Sequence, residues 1–185
     1  MSDDELAWET LDQETAFSCP GFTVEHQTVR LPDGTETDFD YLSERPAVVI
    51  LPFTTDGSVV VIEEWRQAVG RINYGLPAGG VEAEDDDLTD AARRELREET
   101  GYESTKMEPL TTVEPANGIA DSVHHYFVAH GCTPTASQDL DTNEAIRPSI
   151  TTLETLRKAI RAGEIRDART VLGVCYHGMS KSDEA

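Results

Sequence analysis

The sequence predicts an α+β fold, with helices packed around mixed sheets. Three observations carry that prediction. Strands, a helix, strands and a helix follow one another along the chain. A short apolar run, Ala47 to Phe53, is bounded by turn residues. One strongly marked helix, Leu88 to Thr100, is closed by Gly101.

Element by element, Pro32-Asp33-Gly34 reads as a hairpin tip between Phe22–Leu31 and Thr35–Leu42. Ala47–Leu51 is a buried strand, Asp56-Gly57 a turn, and Ser58–Glu64 the returning strand. Gly70 and Gly75 bracket a loop or short strand that leads to Leu76-Pro77-Ala78-Gly79-Gly80. An acidic loop over 82–87 precedes the helix. Strands are expected at Met107–Val113 and Val123–Ala129, a polar loop over 131–145, and a weaker segment from Ile150. Thr152–Ala162 is a second helix, with Gly163 after its end, and Asp167–Tyr176 a third. The domains follow: 1–45 a β-strand region, 46–178 the main domain, and 179–185 a disordered tail.

The 185 residues carry 36 acids against 15 bases, a formal charge of −21, and three of the bases, Lys106, Lys158 and Lys181, are lysine. So negative a surface disfavours nucleic acid and anionic membranes as partners. It suits a high-salt cytoplasm, where screening shortens self-repulsion, and the low lysine count resembles haloarchaeal proteins; a merely acidic mesophile protein is the alternative. No apolar run is long enough to span a membrane. The first residues are acidic and lack a secretory signal's basic start, so a cytoplasmic location is expected. Cys19, Cys132 and Cys175 lack paired spacing and are expected to be buried thiols.

The stretch RRELREETGY, Arg93 to Tyr102, gathers Glu95, Glu98 and Glu99 before a glycine. At about 100° per residue with Glu95 at the origin, Glu99 lies near 40° and Glu98 near −60°. Leu88, Ala91, Ala92 and Leu96 share that side, whereas Asp90, Arg93 and Arg97 lie opposite. A solvated helix would place its glutamates outward beside the arginines. Inward carboxylates repel one another unless something compensates them. A hard divalent cation would do so, as would a partly buried ion-pair network with Arg94.

Residues 79–102, GGVEAEDDDLTDAARRELREETGY, closely resemble the Nudix box, in which Arg94, Glu95, Leu96, Glu98, Glu99, Gly101 and Tyr102 match in register. Aspartate replaces the loop glutamate: Asp86 if Gly80 opens the box, Asp85 if Gly79 does. The second register is preferred, because Leu76-Pro77-Ala78-Gly79 resembles the lead-in of ADP-ribose pyrophosphatases. The resemblance implies the Nudix fold, an α/β/α sandwich with mixed sheets, here with a small N-terminal β extension. It also implies metal-dependent hydrolysis of a nucleoside diphosphate derivative. By the same resemblance Glu95 and Glu99 are metal ligands, Glu98 shares a second ion, and the Ala78 carbonyl is a further ligand (or Gly79 in the other register). Mg²⁺ is the expected ion, with Mn²⁺ an alternative. Arg94 would orient the carboxylates. Glu144, in the acidic loop after Gln138, is the candidate general base, with Asp141 the runner-up.

The resemblance to the ADP-ribose group covers about residues 5–177. Val59–Arg66 looks like a strand that delivers Arg66 to the diphosphate. Gly163-Glu164-Ile165-Arg166-Asp167-Ala168-Arg169-Thr170 resembles a C-terminal motif of the group. In that group the N-terminal strands exchange between subunits, so a homodimer is implied. Trp8 and Phe39 are then candidates for stacking on adenine, with core or interface packing as their alternative. ADP-ribose, cleaved to AMP and ribose 5-phosphate, is the expected substrate. Two departures bear on it: Gly75 stands where the group usually has glutamate, and Ser122 follows Gly118-Ile119-Ala120-Asp121 where a glutamate is frequent. Either would shift preference toward another nucleoside diphosphate sugar or a dinucleotide. A ligand-binding Nudix regulator is the reading from another class; retention of the three helix glutamates argues against it.

Overall fold

A computed structural model describes residues 5–182. The chain divides into two units.

The first takes in the residues up to Pro46 together with Glu114–Val123. Strands β1 (Glu9–Ser18), β2 (Thr23–Arg30) and β3 (Glu36–Ser43) form an antiparallel sheet in that order. The β2–β3 hairpin turns at the expected Pro32-Asp33-Gly34, where Gly34 has φ 86° and its N–H donates to Leu31 O at 2.9 Å. β1 is an exposed edge whose pairing with β2 shifts twice, between Thr10 and Asp12 and between Thr15 and Phe17. The sequence predicts that the segment 114–123 lies within the main domain, 46–178. It belongs to this unit because Leu42 N–H donates to Ile119 O at 2.9 Å and Asp121 N–H to Leu42 O at 3.1 Å. The Asp121 carboxylate also accepts from Ser43 Oγ at 2.7 Å and Glu44 N–H at 3.0 Å.

The second unit holds β4 (Ala47–Thr54), β5 (Val59–Arg66), β6 (Arg71–Gly75), β7 (Ala78–Gly80), α1 (Leu88–Thr100), β8 (Tyr102–Glu103), β9 (Lys106–Val113), β10 (His124–Pro134), β11 (Ile146–Thr151), α2 (Leu153–Arg161) and α3 (Ala168–Ser182). β4 and β5 meet only at Phe53 and Val59, then diverge. β5 goes on to pair antiparallel with β6 and β11; β4 pairs antiparallel with β7 and parallel with β10, which carries β9 and β8. The sheet is therefore mixed. Strand alternation sends Val49 and Leu51 into a core with Leu156 of α2 and Val174 of α3, and Val48 and Ile50 into another with Ala91, Ala92 and Leu96 of α1. Helices cover both faces, the α/β/α arrangement that the resemblance implies.

Helix α1 has the bounds expected of it. Asp87 caps its start, accepting from Thr89 and Asp90 N–H at 2.6 and 3.0 Å, and Gly101 ends it in the left-handed region at φ 74°. Four expectations need correction. β10 runs to Pro134, into the supposed loop, because its end is taken up by Glu103 and Tyr102 of β8. A strand begins at Ile146, not at Ile150; Pro148 obscures it, and is tolerated because β11 is an edge. Helix α3 continues through Ser182, past Met179 where the tail was placed, and 183–185 lie outside the described residues. Of the cysteines only Cys132 is buried; Cys19 is half-buried and Cys175 lies on the outward side of α3. Among the described residues no helix is long and apolar enough to cross a membrane.

Candidate active site

Helix α1 turns its glutamates inward as the wheel predicted. Glu95 is 8% exposed and Glu99 3%, whereas Asp90 and Arg93 are exposed. Glu98 lies between these extremes. Arg94 gathers the carboxylates around it: its Nη1 donates to Glu95 Oε1 at 2.8 Å and Glu98 Oε2 at 3.0 Å. Nε and Nη2 each reach Asp85 at 2.9 Å, and Nη2 also reaches the Gly80 carbonyl at 2.8 Å. Asp85, the loop acid of the preferred register, thus meets Arg94, whereas Asp86 is exposed. The glycines agree. A Cβ at Gly79 would overlap the Glu95 carboxylate, whereas one at Gly80 would meet open space.

Glu99 accepts from the Ala78 N–H at 2.9 Å. Burial pushes its carboxyl up to about 8, with the charges of Glu95, Glu64 and Glu144 adding to the effect. Burial likewise pushes Glu95 up to about 7, against the pull of Arg94. One guanidinium serves Asp85, Glu95 and Glu98, and Glu99 has an amide instead of a cation. Buried oxygen donors with charge left over fit a hard divalent ion. Among the described residues no three His, Cys, Asp or Glu side chains already form a closed ligand set.

The loop after β10 forms the other wall. Glu82, Arg94, Glu95, Glu98, Asp139, Asp141 and Glu144 line a cavity of about 210 Å³. Glu144 is held there by Asp141, whose N–H donates to Glu144 Oε2 at 3.0 Å, while the Glu144 N–H donates to the Asp141 carbonyl at 3.0 Å. The loop is fastened to α1 by Gln138 Nε2, which donates to the Glu99 carbonyl at 2.5 Å, and by Asp139 N–H, which donates to the Glu98 carbonyl at 3.0 Å.

Arg66, at the end of β5, pairs with Glu64 at 2.7 Å. Burial and the neighbouring Arg169 lower its pKa, and the charge of Glu99 reaches it. Its Nε is buried with no hydrogen-bond partner. The second unit therefore brings together Ala78, Arg94, Glu95, Glu98, Glu99, Asp141 and Glu144, with Arg66 beside them. Trp8 and Phe39 belong to the first unit. There they meet edge to face, 5.7 Å between ring centroids, and Trp8 is 52% exposed.

A scan of protein families matches residues 43–171 to the NUDIX domain. The chain belongs to the Nudix family. An ADP-ribose pyrophosphatase of Bacillus subtilis is 29% identical over 182 residues, covering 97% of each chain. A methanol dehydrogenase activator of Bacillus methanolicus is 30% identical over 168 residues, covering 90% of each. A crystal structure of an ADP compounds hydrolase superposes with TM-score 0.84 over 96% of each chain at 21% identity, a likeness of fold.

Sequence reasoning gave no role to Glu64, and named Asp167, Arg169 and Thr170 only as part of the C-terminal motif; the charges of Arg66, Arg169, Glu144 and Asp167 all reach Glu64. Glu64 is buried at the end of an apolar strand, and burial raises its pKa against the pull of Arg66 and Arg169. Its place two residues after Ile62, on the same face of the strand, was the available signal. The Gly75 departure also has a physical reason: a Cβ there would overlap Thr170 Oγ1, so a glutamate has no room.

Proposed function

We propose that this Nudix pyrophosphohydrolase cleaves ADP-ribose to AMP and ribose 5-phosphate. The observation that carries the reading is the buried, inward-facing Glu95–Glu99 pair opposite the acidic loop. The names of full-length relatives supply the substrate class. Glu95 and Glu99 would hold a divalent cation, Mg²⁺ before Mn²⁺, with Glu98 and the Ala78 carbonyl assisting. Such an ion supplies charge neutralisation on the phosphate oxygens and makes a water acidic enough to attack. Glu144 would act as the base for the attacking water, and Arg94 would keep Glu95 and Glu98 aimed. Arg66 binds the diphosphate, its free Nε being a donor that a phosphate oxygen satisfies. Trp8 and Phe39 are assigned to adenine stacking. A homodimer is proposed on the exposed edge strand β1, and a high-salt cytoplasm on the charge of −21.

Purified protein in molar KCl with Mg²⁺ is to be given ADP-ribose beside ADP-glucose, diadenosine polyphosphates and NADH, with products separated by chromatography. AMP and ribose 5-phosphate from ADP-ribose, in preference to the other products, is the expected result. Preference for another substrate would overturn the ADP-ribose assignment and leave the Nudix chemistry standing. Binding without turnover would support a ligand-binding regulator instead. In the same assay Arg66→Ala is expected to raise KM about tenfold or more, the loss of a charge-assisted hydrogen bond; an unchanged KM would remove Arg66 from the diphosphate.

A further inference from the structure

The turn between β6 and β7 is fixed at two of its peptide units, Gly75–Leu76 and Pro77–Ala78, by partners from separate elements. The Leu76 N–H donates to Thr170 Oγ1 at 3.0 Å. The Pro77 carbonyl accepts from the Ile50 N–H at 3.0 Å. The Ala78 N–H donates to Glu99 Oε2 at 2.9 Å. Thr170 is fully buried, and its hydroxyl, besides accepting from Leu76, donates to Asp167 Oδ2 at 2.7 Å. That oxygen also accepts the Thr170 N–H at 3.0 Å, and Arg169 Nε lies 3.4 Å from the other. Gly75 packs so closely on Thr170 that no side chain fits. Hydrogen bonds at Leu76 and at Ala78, joined by the short backbone stretch through Pro77, thus connect the start of α3 to Glu99.

We propose that Thr170 and Asp167 are positioning residues for the carboxylate bowl, fixing the Gly75–Ala78 turn and through the Ala78 peptide the place of Glu99. The inference rests on the reading of Glu95 and Glu99 as the seat of a divalent ion. Neither residue touches the reacting atoms. Partners that orient a metal ligand are worth about 10- to 100-fold in metal affinity. A cap that served α3 alone would alter stability and leave the ion unaffected.

The discriminating experiment is a calorimetric Mn²⁺ titration of wild type, Thr170→Val, Thr170→Ser and Glu99→Gln, with Tm measured in chelator. Valine keeps the shape and removes the hydroxyl; serine keeps the hydroxyl. Thr170→Val is expected to bind Mn²⁺ about tenfold or more weakly, with Thr170→Ser close to wild type and Glu99→Gln without measurable site binding. Wild-type affinity in Thr170→Val, with Glu99→Gln impaired, overturns the positioning role alone. Equal binding by wild type and Glu99→Gln overturns the seat itself and the inference with it. Should Thr170→Val not fold, Asp167→Asn replaces it: weakened Mn²⁺ binding supports the proposal, and wild-type binding overturns it.

Discussion

Glu99→Gln is expected to lower kcat by about 10³-fold or more, because a bound ion supplies several kcal/mol of transition-state stabilisation and the amide cannot hold it. The fold should survive, since glutamine still accepts from the Ala78 N–H through its carbonyl oxygen. Stability should move the other way. The folded-state carboxyl of Glu99 sits at about 8 against an ordinary 4.5, raised chiefly by burial. A raised carboxyl pKa means that the folded state binds the proton more tightly than the unfolded chain. Its contribution is therefore complete below about pH 4.5 and is lost as pH rises toward 8. In chelator, the Tm of Glu99→Gln is expected to exceed that of wild type by a margin that widens from pH 5 to pH 8. A constant margin would mean that Glu99 does not carry the penalty, and a near-wild-type rate would remove it from the metal seat.

Glu144→Gln is the other large expected loss, about 10²- to 10⁴-fold in kcat, the range for a general base. Glutamine retains an acceptor for the Asp141 N–H, so the loop keeps its shape. Asp141→Asn should cost about tenfold at most, as an edit to the charge of the same cavity rather than to the proton transfer. The reverse order of the two variants would move the base to Asp141. Glu144 lines the same cavity as Glu95 and Glu98 and is held there by the Asp141 N–H, which is the observation behind the assignment.

The carboxylate face of the site was legible because it lies within one helix. Asp87 and Gly101 mark its ends locally, and the 3.6-residue period fixes the direction of Glu95 and Glu99. The aspartate register could be preferred only through the Leu76-Pro77-Ala78-Gly79 lead-in, since Asp85 and Asp86 are alike as residues and differ in their contact with Arg94. β11 was hidden by Pro148, whose edge position is a property of the sheet and not of the segment. Least legible was the contact of Gly75 with Thr170, which joins residues far apart in the chain and leaves no periodic trace in either. The same contact turns an apparent departure from the family into a packing requirement.

The capture of 114–123 by the first unit has a consequence for how the protein is made. The hydrogen bonds that close this unit join Leu42, Ser43 and Glu44 to Ile119 and Asp121. A ribosome that has released only the first three strands has therefore not yet supplied all the parts of the unit. Its completion waits for the loop between β9 and β10, and so for much of the second unit to be translated. Excision at residue 46 would yield a piece lacking its own last segment, and grafting the N-terminal sheet onto another protein requires that loop to travel with it.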